Sequence, residues 1–150
     1  MFDTIHDDGL NPRFVFLSPV FFDELSPDDR LSHDRLVSHL AAAADAFHTG
    51  EGCGRHCTGD EVSVVRDITV EQLNPVTAAG TLRIDVWVET LDENSCTYGF
   101  LCSSEDGLTP YARGERTVVK LDPALLRPSP WSRGFVEEHS KFLRTLHAYA

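Results

Sequence analysis

The sequence predicts an α+β fold in which one long, largely enclosed helix is wrapped by a curved antiparallel sheet. Three observations carry that expectation. Leu36, Leu40, Ala43 and Phe47 recur on one helical face, which Val37, Ala41 and Ala44 widen. From Val62 to Leu121, apolar and polar residues alternate through strand-length segments parted by short turns. A chain of 150 residues, 41% of them apolar, suffices for one core and would leave each of two domains small.

Taken in order, residues 1–12 read as an acidic leader carrying Asp3, Asp7 and Asp8, and 13–150 as a single domain. Phe14-Val-Phe-Leu17 and Val20-Phe-Phe22 are short β-favouring runs separated by Ser18-Pro19. Ser26-Pro-Asp-Asp-Arg30 is a turn that stops the strand. Ser32 or Asp34 then caps a helix running to about His48. The run Ala41 to Ala44 leaves little side chain on any face, so a sheet can approach the helix from several sides.

The strands follow. Val62, Val64, Ile68 and Val70 alternate with Glu61, Ser63, Asp67, Thr69 and Glu71, and Leu82, Ile84, Val86 and Val88 with Arg83, Asp85 and Glu89. Asp92-Glu-Asn94 turns the chain into a strand with Cys96, Tyr98, Phe100 and Cys102 on one face. Glu105-Asp-Gly107 leads to a last strand from about Thr109 to Leu121. Prolines 123, 128 and 130 end the sheet, and Phe135 to Tyr149 reads as a terminal helix with Phe142, Leu146 and Tyr149 on one side.

The charge narrows the partners. With 24 acidic residues against 13 basic ones, the net charge of −11 repels phosphate backbones and anionic lipid, so neither nucleic acid nor membrane is expected. No apolar run reaches the roughly 18 to 20 residues that span a bilayer. No basic n-region precedes an apolar stretch, so a cytoplasmic location is expected. Cys53, His56 and Cys57 have the look of a metal clip, but Cys96 and Cys102 make no suitable second pair, so free thiols and no metal or other cofactor are expected.

Several stretches together resemble the hotdog-fold acyl-CoA thioesterases of the 4-hydroxybenzoyl-CoA thioesterase type. Val65-Arg-Asp-Ile-Thr-Val-Glu-Gln-Leu-Asn-Pro75 followed by Gly80-Thr-Leu82 is similar to the family's "I-x-V-E-Y-L-x-P … G-x-L". Ala112-Arg-Gly-Glu-Arg-Thr117 is similar to its last-strand "A-x-G-x-x-T". Val20-Phe-Phe-Asp-Glu-Leu25 and Arg35-Leu36 through Phe47 fall where the family has its first strand and its "R-Y-L … F" helix. The resemblance implies a hotdog fold, thioester hydrolysis, an acyl-CoA or acyl carrier protein substrate, and a homodimer or homotetramer. Pairing sheets edge to edge also removes the exposed strand edges of a lone sheet.

The family's opening "D-x-D-P-x-G-H-V-N-N-A-R-Y-L" is matched by Glu24-Leu-Ser-Pro-Asp-Asp-Arg-Leu-Ser-His-Asp-Arg-Leu36. Ser26 takes the place of the catalytic Asp, and Ala41 or Ala42 that of a frequent helix Glu. A Ser hydroxyl without a base is a poor nucleophile. The resemblance also places an oxyanion-binding N–H at His33, seven residues after Ser26, where the helix dipole helps. The His33 ring, flanked by Asp28, Asp29 and Asp34, is either a general base or a solvated, ion-paired surface group.

Asp45 is either a contributor to a partner subunit's site or a solvent-facing helix residue, and His39 is expected to be structural. Arg113 and Arg116 are candidate phosphate contacts for CoA, on opposite faces of their strand, while Asp92-Glu93 stands where some family members carry basic residues. Two alternatives stay open. One is a hotdog protein without catalysis that binds an acyl ligand or acts as a scaffold. The other is an enoyl hydratase or dehydratase, for which Asp28 and His33 have the spacing of an acid–base pair.

Overall fold

Ser32 starts the central helix by accepting the Arg35 N–H at 3.2 Å, which satisfies one donor of the first turn. The computed structural model, which describes residues 13–49 and 63–144, runs this helix, α1, from His33 to Thr49. Leu36, Leu40, Ala43 and Phe47 are each wholly buried, as the helical stripe predicts. The opposite side does not follow expectation. Ser38, Ala42 and Asp45 are exposed, because the sheet covers α1 from one side only. The leader, the Cys53–Cys57 clip, Leu146 and Tyr149 lie outside the described residues.

Five antiparallel strands form one sheet: β1 Phe14–Val20, β2 Ser63–Gln72, β3 Gly80–Leu91, β4 Ser95–Ser104 and β5 Pro110–Lys120. Their spatial order is β1-β3-β4-β5-β2, so β4 is central and β1 and β2 are the edges. Leu82, Ile84, Val86 and Val88 of β3 join Cys96, Tyr98, Phe100 and Cys102 of β4 in the core around α1. Cys96 and Cys102 are buried free thiols. Burial pushes the Cys102 thiol up to about 12 and Cys96 higher still, so neither supplies a thiolate near neutral pH.

Three local expectations are corrected. Ser18-Pro19 does not divide the first strand, since β1 runs unbroken through both. Among the described residues it pairs only with β3, and an edge strand tolerates a residue without an N–H. In β2 a register shift between Val65 and Asp67 sets Val65 opposite Val118 and Val64 opposite Val119. That bulge puts Val65, not Val64, on the face of Ile68 and Val70.

The terminal helix is the third. This helix, α2, spans Arg133–Ser140, capped by Ser132 accepting the Phe135 N–H at 3.1 Å. It ends before Phe142 because the chain there turns to β3. Val88 donates its N–H to the Phe142 carbonyl at 3.0 Å and accepts from the Arg144 N–H at 2.8 Å. Since the β1–β3 pairing stops at Phe14 and Val86, this segment covers the next stretch of β3 edge.

Candidate active site

The segment joining β1 to α1 holds most of the sequence-predicted site. A 3-10 turn, Phe22–Glu24, precedes a loop closed by Ser26, whose N–H donates to the Arg30 carbonyl at 2.8 Å. Asp29 takes a left-handed φ of 60°, which Asp tolerates better than most residues. The Leu31 N–H donates to the Val76 carbonyl at 2.9 Å and anchors the loop beyond β2. Ser26 donates its hydroxyl to Oδ1 of Asp28. That hydrogen bond is the main reason the exposed Asp28 carboxyl lies below its ordinary range, with lesser help from backbone N–H and Arg30. A carboxylate is thus held beside Ser26 by the residue two positions on.

His33 is the first residue of α1 and is exposed. Among the described residues no hydrogen bond or ion pair joins it to Asp28, whose carboxylate engages Ser26 instead. The Arg35 and Leu36 amides are taken by Ser32, and among the described contacts those of His33 and Asp34 have no acceptor. They point out of the positive end of a 17-residue helix.

The remaining candidates pair elsewhere. Arg116 faces α1, with Nη1 3.3 Å from the Ala41 carbonyl and 3.7 Å from Asp45, and this clamps the helix to β5. Arg113 lies on the other face of β5 and pairs with Glu71 at 3.0 Å across the β2 edge. It helps line a cavity of about 520 Å³ with Trp87, Glu89, Glu115 and Arg144. This cavity opens on the sheet face turned away from α1, so it is not the site of the Ser26–Asp28 turn.

One constellation escaped the sequence. Ser18 Oγ lies 2.5 Å from Nδ1 of His39, and His39 Nε2 lies 2.9 Å from Oε1 of Glu24. Glu24 reaches back with Oε2 to accept the Phe21 N–H at 2.8 Å. That backbone bond chiefly, then His39 and Arg35, lowers its carboxyl below the usual range. With Glu24 ionised, Nε2 carries a proton, and in the neutral ring Nδ1 accepts from Ser18. The Phe21-to-Glu24 spacing was the only local signal, because Ser18 and His39 meet only through the packing of β1 on α1.

Neither a protein-family model nor a curated protein sequence matches this chain. Solved structures do. A CoA-bound hypothetical protein from Staphylococcus aureus superposes with a TM-score of 0.78 at 10% identity, covering 88% of this chain and 84% of its own. A 1,4-dihydroxy-2-naphthoyl-CoA thioesterase from Synechocystis gives 0.75 at 10% identity, over 86% and 96%. A probable thioesterase from Escherichia coli gives 0.73 at 15% identity, over 87% and 98%. With its single long helix against a curved five-stranded antiparallel sheet in the order β1-β3-β4-β5-β2, the chain has the hotdog fold.

Proposed function

We propose that the protein hydrolyses an acyl thioester, of CoA or of an acyl carrier protein, at the Ser26–Asp28 turn and the start of α1. The observation that supports this reading is the hydrogen bond from Ser26 to Asp28, which sets a carboxylate beside the residue that aligns with the family's catalytic Asp. Asp28 is ionised at neutral pH, and a carboxylate offers about four lone-pair sites, so it can hold a water beside Ser26. As that water attacks the thioester carbonyl, Asp28 takes its proton, and the oxyanion is received by the His33 and Asp34 amides. Collapse expels the thiolate, which recovers the proton and leaves as thiol beside a carboxylic acid.

The likeness to thioesterase structures and to a CoA-bound protein supports the substrate class. Among the described residues no strand pairs with the outer edge of β2, which supports a homodimer or larger even assembly. Among the described residues no helix is long and apolar enough to cross a membrane. The test is hydrolysis of a panel of acyl-CoA and acyl carrier substrates by the wild type and by Asp28→Asn. The variant should lose roughly 10²- to 10⁴-fold in kcat/KM. Full activity in Asp28→Asn defeats this mechanism, and absence of turnover across the panel favours an acyl-binding protein without catalysis.

A further inference from the structure

The cavity of about 520 Å³ on the outer face of the sheet has no part in the hydrolytic reading. Strand register builds it. Trp87 of β3 stands opposite Gly99 of β4, Gly99 opposite Glu115 of β5, and Glu115 opposite Thr69 of β2, which makes one row across the sheet. The next row on that face holds Leu101, Arg113 and Glu71. Gly99 carries no side chain, and the Trp87 indole lies over it, where a Cβ would run into the ring. Trp87 and Leu101 are both buried and give the cavity apolar walls. The polar groups leave one charge over. Arg113 pairs with Glu71 at 3.0 Å and Arg144 with Glu89 at 2.8 Å. Glu89 also accepts the Trp87 indole N–H at 2.6 Å. The Glu115 side chain is exposed and has no hydrogen bond or ion pair among the described residues. Three carboxylates thus meet two guanidiniums, each already engaged, and the surplus charge sits on Glu115.

We infer that this cavity binds a small organic cation, an ammonium or guanidinium on a compact apolar body, with its charge on Glu115 and its body against Trp87 and Leu101. The volume falls within the roughly 300–1,000 Å³ of small-molecule sites, which combine apolar walls with a few placed polar groups. An anion would meet the surplus carboxylate, and the net charge of −11 adds to that repulsion. The phosphates of CoA are therefore the disfavoured occupant, since Arg113 would have to leave Glu71 to hold one. The site lies on the opposite side of the sheet from α1 and shares no residue with the Ser26–Asp28 turn. It is independent of the hydrolytic reading.

The experiment is calorimetric titration of the full chain at neutral pH with phenethylamine, phenethyl alcohol and phenylpropionate, which carry a positive, no and a negative charge on a similar body. The amine should bind at a single site per chain, at least roughly tenfold tighter than the other two, as a hydrogen bond between charged groups provides. Raised salt should weaken it. Glu115→Gln should remove the preference. Glu115→Lys should turn it toward phenylpropionate, a reversal that loss of fold cannot produce. Glu105→Gln makes the same change in net charge on the turn between β4 and β5, outside the cavity, and should leave the preference intact. Absence of amine binding at millimolar concentration overturns the inference, as do equal affinities for amine and alcohol or a preference that survives in Glu115→Gln. Competition between CoA and the amine overturns it too, because the cavity would then take the phosphates. No arm of the titration reads thioester hydrolysis, so the two readings fail separately.

Discussion

The Tyr98 hydroxyl lies 2.9 Å from Nε2 of His139, and both side chains are buried. His139 Nδ1 is 3.2 Å from the Phe135 carbonyl, which only accepts, so Nδ1 holds the ring proton and Nε2 accepts from Tyr98. The Tyr98 oxygen in turn lies 3.3 Å from Nδ1 of His48, near the end of α1. The imidazole stacks on Phe135 at 3.7 Å, and Phe135 stacks on Trp131 at 3.8 Å. One hydroxyl thus fastens α2 to β4 and α1. Tyr98→Phe keeps the ring but strands the His139 acceptor, and should cost about 1–3 kcal/mol in urea denaturation. A midpoint equal to that of the wild type contradicts this account.

Burial, aided by the neighbouring His48, depresses His139 from 6.5 to about 3. Between those values the unfolded chain binds a proton that the native chain does not. Its contribution to stability is therefore complete above about pH 6.5 and is lost as pH falls toward 3, at up to about 1.4 kcal/mol per pH unit. Glu24, Asp28, Asp106 and Asp122 are also held low, but their losses begin only near or below their unfolded values of about 4. Urea midpoints between pH 7 and 5 should therefore fall in the wild type and fall less in His139→Gln. Equal slopes in the two proteins count against a buried neutral imidazole.

Gly114 and Gly99 should differ in their tolerance of a methyl group. A Cβ at Gly114 would run into the backbone carbonyl of Thr69 on β2, and one at Gly99 into the indole of Trp87. Trp87 can swing, although it would lose its 2.6 Å hydrogen bond to Glu89. The Thr69 backbone cannot move without disturbing the β2–β5 ladder. Gly114→Ala should therefore lower Tm more than Gly99→Ala, each costing at least about 1–3 kcal/mol. The reverse order, measured by calorimetry, is the outcome that fails.

At the proposed reacting turn, Ser26→Ala should lower kcat several-fold and raise the Asp28 carboxyl toward its ordinary range, since Ser26 is the main cause of its depression. The acid limb of the pH–rate profile should move up accordingly. His33→Ala should lower kcat less than Asp28→Asn, because the role proposed for His33 belongs to its backbone N–H. If His33→Ala is the more damaging, the imidazole is the base and Asp28 is not.

The β2 edge, which no other strand pairs with among the described residues, predicts a dimer or larger even assembly in sedimentation at micromolar protein. Val65→Lys, a charge placed at the register shift, should weaken that association. A wild-type protein that sediments only at 16.7 kDa refutes the pairing.

The sequence by itself determined the fold class, because its signals are periodic and local. The Leu36–Phe47 stripe, the alternation in β3 and β4, and the Glu105-Asp-Gly107 turn each state a local preference that packing then honours. Ser26 and Asp28 were both candidates in the sequence, and their two-residue spacing put them within reach of each other. What only the tertiary structure decided are contacts between residues distant in the chain. Ser18 meets His39, Arg116 meets Asp45, and Tyr98 meets His139 across separations that no periodicity encodes. The β2 register shift likewise arises from pairing with β5, and the early end of α2 from the hold that Val88 has on Phe142 and Arg144. A side chain's alternation depends on its own strand. Its partner depends on which strands and helices fold back beside it, and that is settled when the sheet closes on α1.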